Sequence, residues 1–347
     1  MRLNLVSGYN SKSIFVFTNN HKTASKYIAN VSDQINDRVF TIGLGKTENI
    51  KPSALNAIVN SNGEYLLLTD TLNDNSIFKL AKYFLQILVG VNNEAVVLDP
   101  DGTLFADQEH RIPFNLNEAD ITSDVILMLP RPQLIDFHLE TPNGQILTPA
   151  DSASLPGLTH SYGNNVAFYR LTLPLPIGAG ERAGKWQAVL KMNEKYSQHR
   201  SYQTAATHLD ATSSIKSSKG VPYSLLVHAY SNLKMNTFLT QDHYEPGATI
   251  QVKIQLSQYG IPLNKPASVT TKMIDSTGIQ KVISFAKTGE GEYVAKVKTD
   301  SSGVCRFRMM ANGTTLRGRK FTREQVRTRA VWSGGNRPNP ENKNPHE

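Results

Sequence analysis

The chain has 347 residues, 37 Lys and Arg against 29 Asp and Glu (formal net charge +8), 39% hydrophobic residues, 23 Gly and 17 Pro, the composition of a turn-rich globular protein with more than one core rather than a disordered or fibrous one. The single cysteine, Cys305, excludes an internal disulfide, and the longest apolar run, residues 77–91, is too short and carries Lys79 and Lys82, so no bilayer-spanning segment is predicted. The opening residues show no secretory leader, which leaves two expectations: a cytoplasmic protein, or a piece of a longer surface or secreted one, in which case alone the sequons at Asn30 and Asn312 would matter.

Residues 1–92 alternate apolar runs with helical periods. "SIFVFT" (13–18), "RVFTIGLG" (38–45) and "GEYLLLT" (63–69) read as strands. They alternate with helical patterns over 22–36, 51–62 and 73–91, and Pro52 falls near the first turn of the second helix, where a missing N–H is harmless. Asp70 and Asp74 stand where they cap the third helix. Strands followed by helices imply parallel strands with right-handed crossovers, here half of a doubly wound domain.

After residue 93 the helical periods stop. Short alternating runs separated by turn signals such as "DPDG" and "TPNG" fill 93–193, about seven strands at the spacing of an antiparallel sandwich. Residues 194–220 are polar and aperiodic, a linker or long loop. A second sandwich is predicted over 221–332, beginning with "YSLLVHAYS", and the tail 333–347, nearly free of apolar side chains, is expected to be disordered. The predicted class is therefore multidomain, α/β then all-β: a partial doubly wound parallel sheet followed by two antiparallel sandwiches.

On these elements the first region resembles the C-terminal half of a von Willebrand factor A domain. "IFVFTNN" is similar to that family's fourth strand, "RVFTIGLG" to the next, "LNAIVNSNGEYLLLTD" to its helix ending before a glycine and an aromatic, and "FKLAKYFLQIL" to its last helix. The β regions resemble the immunoglobulin-like modules that follow such a domain in multidomain surface proteins of the calcium-activated chloride channel regulator type, with "GKWQAVL" as a late strand and "GEYVAKVKTDSSGVCRF" as a closing hairpin. The family binds ligands through a divalent metal held by an Asp-x-Ser-x-Ser loop, a Thr and an Asp after the fourth strand. Here the loop is absent and the fourth-strand position reads Thr18, Asn19, Asn20, a degenerate set with too few anionic oxygens, so the resemblance implies no metal and no cofactor.

Other patterns weigh against chemistry. "RVFTIGLG" lacks the G-x-G-x-x-G spacing of a dinucleotide loop and reads as scaffold. Asp99, Asp101 and Asp107 lack the spacing and flanking helices of a calcium loop, and a hairpin turn is predicted there instead. Nine histidines show no metal spacing; His138 and His228 read as ordinary strand positions, and H-E-x-x-H and G-x-S-x-G are absent. The end of the chain concentrates Arg306, Arg308, Arg317, Arg319, Lys320, Arg323, Arg327 and Arg329, answered nearby only by Glu324. On alternating strands these predict one solvated face, or failing that a basic contact surface; nucleic acid is disfavoured because aromatic residues are not interleaved. Two stretches rich in Tyr, Phe, Arg and Trp332, at 229–247 and 318–332, have hot-spot composition but also suit a sandwich core.

The sequence thus predicts a non-enzymatic fragment working by contact with an unknown protein. The alternatives are the non-catalytic portion of a larger metalloprotease-like or channel-regulator protein, and a polyanion binder acting through the Arg-rich module.

Overall fold

The computed structural model describes residues 13–18, 38–44, 64–68, 74–92, 94–106, 108–178, 180, 182–193 and 220–332. The helices expected at 22–36 and 51–62, Asn19, Asn20, Asp70, Asp107, most of the expected linker and the expected disordered tail lie outside the described residues. What is described is mostly β-structure in several sheets. Among the described residues no helix is long and apolar enough to cross a membrane.

The first unit is a three-stranded parallel sheet, β1 (Ser13–Thr18), β2 (Arg38–Leu44) and β3 (Glu64–Leu68), in that order. Val39, Phe40, Thr41 and Ile42 of the central strand are all buried, the continuous burial of a strand covered on both faces. The parallel strands and the third expected helix, α1 (Asp74–Val91), are present, but the described residues do not display a doubly wound sheet.

The α1 sequence explains its place. At about 3.6 residues per turn, Phe78, Ala81, Leu85 and Val89 form one stripe, and Leu80, Tyr83, Ile87 and Val91 form another on roughly the opposite side. The second stripe packs with Phe40 and Ile42 of the parallel sheet, and the first packs with Val96, Ile126, Met128, Val166 and Leu226 of the following module. One helix therefore belongs to two cores at once.

That module is a sandwich. One sheet runs β10 (Leu158–Tyr162), β11 (Val166–Thr172), β7 (Asp120–Met128), β13 (Val221–Ser231) and β4 (Ala95–Leu98), with β5 (Asp101–Leu104) also on β13. The facing sheet runs β6 (Glu109–Leu116), β12 (Gly184–Met192), β8 (Ile135–Glu140) and β9 (Ile146–Leu147). Trp186, Tyr169 and Phe114 fill the space between, and the Tyr169 hydroxyl donates to the Phe137 carbonyl of the facing sheet at 2.9 Å.

Two sequence expectations change here. The strand at 221–231, expected to open the second sandwich, is a central strand of the first, paired antiparallel with β7. Val221, Tyr223, Leu225, Val227 and Ala229 enter the first core while Leu226 lies under α1, so its unbroken apolar run reflects cover on both faces. Only Asn232 separates it from β14 (Leu233–Gln241), and the chain crosses between modules at that residue. The hairpin expected at 98–110 is instead one interrupted strand, because β4 and β5 both run antiparallel to β13 and follow each other along it (Leu98 opposite Val227, Asp101 opposite Ser224).

The second sandwich sets β14, β15 (Ala248–Gln258), β20 (Glu292–Thr299) and β19 (Ala286–Gly289), with β16 (Ile261–Pro262) on β15, against β18 (Gln280–Ser284), β17 (Ala267–Ile274), β21 (Gly303–Thr314) and β22 (Lys320–Val331). Gly291 is required in its turn: its φ is +65°, and a Cβ would lie 2.3 Å from the Leu256 carbonyl oxygen. Cys305 sits in this core beside residues such as Phe307 and Met309, and burial pushes its thiol up to about 11.

Ellman's reagent is accordingly expected to label Cys305 only as fast as the second sandwich opens, far more slowly than in denaturant; prompt stoichiometric labelling in native buffer would contradict this packing.

Candidate functional site

The structure concentrates its buried charge along β22. Period-two alternation sends successive side chains to opposite faces of a strand, and here neighbours are separated into two different junctions. Phe321 lies in the core of the second sandwich, and Arg323 shares its face. Arg323 is 0% exposed, as is its partner Asp120 at the start of β7. The Arg323 Nη2 donates to Asp120 Oδ1 at 2.7 Å and to Ser231 Oγ at 2.9 Å, its Nε to the Leu233 carbonyl at 3.2 Å, and its Nη1 to the Thr322 carbonyl at 2.9 Å. Asp120 in turn accepts from the Asn117 N–H at 2.7 Å. A guanidinium is the group for this place, because its planar fork can serve several acceptors where water is excluded. The pair ties the second sandwich to the first beside the Asn232 crossing.

Glu324 points the other way. Its carboxylate takes Arg308 in a forked contact, with Nη2 at 2.8 and 3.1 Å from its two oxygens, and accepts the Asp99 N–H at 2.9 Å. Asp99 is also buried, receives Gln86 Nε2 at 2.7 Å and lies 2.5 Å from Lys82 Nζ. Lys82 reaches Asp101 at 2.7 Å and the Pro100 carbonyl at 3.1 Å, and Ser224 also donates to Asp101. Gln86 Oε1 accepts the Val326 N–H at 3.3 Å. Lys82 and Gln86, one turn apart on α1, thus clamp the β4–β5 break and β22 together. Burial pushes the carboxyls of Asp99 and Glu324 up, against the pull of Lys82 and Arg308 respectively. At Asp101 burial works in the same direction, but Lys82 and Ser224 outweigh it and hold the carboxyl below its usual range.

The expected basic face does not form. Arg306 and Arg308 lie on β21 with outward parity, since Cys305 and Phe307 point into the core. Arg323, Arg327 and Arg329 lie on the opposite face of the hairpin, that of Phe321. Arg323 and Arg329 are buried, and Arg329 donates to the Leu239 carbonyl at 2.7 Å. Arg317, Arg319 and Lys320 alone remain together and exposed, on the β21–β22 turn. The parity of Arg308 and Arg323 was readable in the alternation; their acidic partners were not, because Asp99 and Asp120 are remote in sequence. Lys82 and Gln86 carried a signal, as two polar residues one turn apart in an apolar helical run. At the degenerate metal position only the Thr18 backbone is described.

A separate cleft of about 250 Å³ opens on the outer face of the first sandwich, lined by Glu94, Thr122, Asp124, Arg170, His228 and Tyr230. His228 lies on strand β13 and is 8% exposed, with Nδ1 at 2.6 Å from Glu94 Oε2 and Nε2 at 3.6 Å from Asp124 Oδ2. Asp124 is engaged by Arg170 at 2.7 and 2.8 Å. The Glu94–His228 contact thus links the α1–β4 connection to β13, and the Arg170–Asp124 pair links β11 to β7. Lys234 Nζ lies 5.9 Å from the centre of the Tyr230 ring. Among the described residues, no group of three or more His, Cys, Asp or Glu is placed to hold a metal ion.

No protein-family model matches the chain, and no curated protein matches it in sequence. Among solved structures it is similar to a DUF4785 family protein from Legionella pneumophila (TM-score 0.41, 12% identity, 68% of this chain and 65% of that one). It is also similar to Bacillus licheniformis lipase BlEst2 in its propeptide form (TM-score 0.36, 11% identity, 88% and 64%) and to a β-1,2-glucanase from Parabacteroides distasonis (TM-score 0.23, 6% identity, 69% and 38%). The chain spans less than two thirds of the length of each, and likenesses this slight carry no argument about chemistry.

Arg323→Met and Asp120→Leu are each expected to cost about 3–5 kcal/mol in urea unfolding, because each strands a buried charge, and the double variant should recover most of that loss; additive losses would refute the pairing. Lys234 is pushed down to about 8, by burial first and Arg323 second, against the pull of Glu94 and Asp120. The folded chain therefore releases this proton before the unfolded chain does. Stability should rise with pH from about 8 toward the ordinary 10.5, and Lys234→Met should flatten that rise relative to wild type.

Proposed function

We propose that this chain is a non-enzymatic presenting scaffold, part of a surface or secreted protein, whose two β modules hold an α/β unit in fixed orientation for contact with another protein. On this reading the α/β unit is the C-terminal half of a von Willebrand factor A-like domain, its metal-dependent mode lost at Thr18, Asn19 and Asn20, and the sandwiches are immunoglobulin-like. The observation that supports it is the divergent burial of Arg323 and Glu324: one strand is charge-paired to the first sandwich at Asp120 and hydrogen-bonded to the Asp99 backbone, whose side chain is held by α1. Freely jointed modules share small polar contacts, whereas a presenting scaffold benefits from a stiff seam. Contact with the partner would come from apolar and aromatic side chains on loops and sandwich faces.

Small-angle scattering combined with hydrogen exchange tests the reading. The full chain is expected to scatter as one body whose dimensions do not change with salt. Arg323→Ala is expected to enlarge the radius of gyration and to speed exchange along β22, with the centres of β11 and β15 still protected. A wild-type chain whose modules already move independently would overturn it.

A further inference from the structure

We propose that the two adjacent turns at the end of the second sandwich, Tyr259–Ile261 and Thr315–Lys320, form an amphipathic contact point for an anionic phospholipid surface.

The turns are neighbours because Gln258, fully buried, links them: its Oε1 accepts the Leu316 N–H at 2.8 Å, while Ile261 is its cross-strand partner in β16. The Gln258 Nε2 reaches Glu118 Oε1 of the first sandwich at 3.3 Å, which anchors the base of the pair. At the tips, Tyr259 is 51% exposed, Ile261 60% and Leu316 37%. Around them Arg317, Arg319 and Lys320 are exposed, with no ion-pair partner among the described residues. Three large apolar side chains and three cations thus project together from one end of a sandwich.

The backbone shows that the projection is built. Tyr259 has a φ of +54°, the one described non-glycine residue in the left-handed region, and Gly260 follows at +79°. Such a two-residue turn favours Asn-Gly, so a tyrosine there carries a conformational cost, and about half of its surface remains exposed. The second turn is closed by the Thr315 N–H donating to the Arg319 carbonyl at 2.8 Å and the Arg319 N–H donating to Thr315 Oγ1 at 3.1 Å, which orders the backbone that carries the cations.

The occupant follows from this chemistry. Tyr259 is the one exposed aromatic ring on these turns, too few for successive bases of a nucleic acid to stack on. A tyrosine with two aliphatic side chains suits the boundary between headgroups and acyl chains, and flanking Arg and Lys suit phosphate and carboxylate headgroups. Each cation near an anionic bilayer is worth on the order of fivefold in binding, so three give roughly a hundredfold preference over neutral lipid.

Vesicle co-sedimentation of the full chain tests this. Phosphatidylcholine vesicles containing phosphatidylserine should bind it about a hundredfold more tightly than phosphatidylcholine alone, with a fraction that resists added salt. Arg317→Glu/Arg319→Glu/Lys320→Glu should abolish the preference. Tyr259→Asn/Ile261→Ser/Leu316→Ser should keep salt-sensitive binding and lose the resistant fraction; Asn suits the turn, and a thermal melt confirms that each variant is folded. Equal binding to both vesicles would overturn the proposal. So would anionic binding unchanged by both variants, or binding to soluble heparin that matches vesicle binding and ignores the apolar substitutions, which would indicate a soluble polyanion.

Discussion

Two adjacent charges on one strand, Arg323 and Glu324, organise the described molecule. A strand cannot bury both faces in apolar contact and also carry unpaired ions, since a stranded buried charge costs several kcal/mol. Each charge therefore fixes the position of its partner. Asp120 must stand at the mouth of the first sandwich, and Arg308 and the Asp99 backbone must converge on the other side. Replacing such pairs with apolar residues is often neutral for stability, so the network is better understood as specifying geometry than as supplying most of the folding energy.

Helix α1 extends the same constraint to the parallel sheet. Its two apolar stripes serve different cores, and Lys82 and Gln86, between them, reach the strand break at Asp99 and the backbone of β22. The helix cannot leave the first sandwich without exposing Leu226 and Val96, nor leave the parallel sheet without exposing Ile42. The His228 cluster adds a further fastening where α1 turns into β4. The units are joined by shared elements more than by linkers: β13 closes one sandwich and delivers the chain into the next across Asn232 alone.

Much of this architecture was legible in the sequence, for identifiable reasons. The parallel strands, α1 and the two antiparallel regions follow from local periodicity. Local periodicity does not tell which sheet a strand joins: "YSLLVHAYS" reads as the start of the second sandwich but pairs within the first, and "DPDG" reads as a hairpin turn but interrupts one strand. The Arg-rich end shows the same limit. Its alternation was visible, but the carboxylates that draw Arg323 and Arg308 inward lie on elements brought close only by the tertiary fold, and burial cannot be assigned without knowing the partner. The polar pair within the apolar period of α1 was the one local sign of a buried network.

Differential scanning calorimetry tests most directly whether the buried charges on β22 make the modules one cooperative body. Both sandwiches are expected to melt in a single transition whose calorimetric and van't Hoff enthalpies agree. Two resolved transitions in the wild-type chain, each with the enthalpy of a single sandwich, would contradict the account.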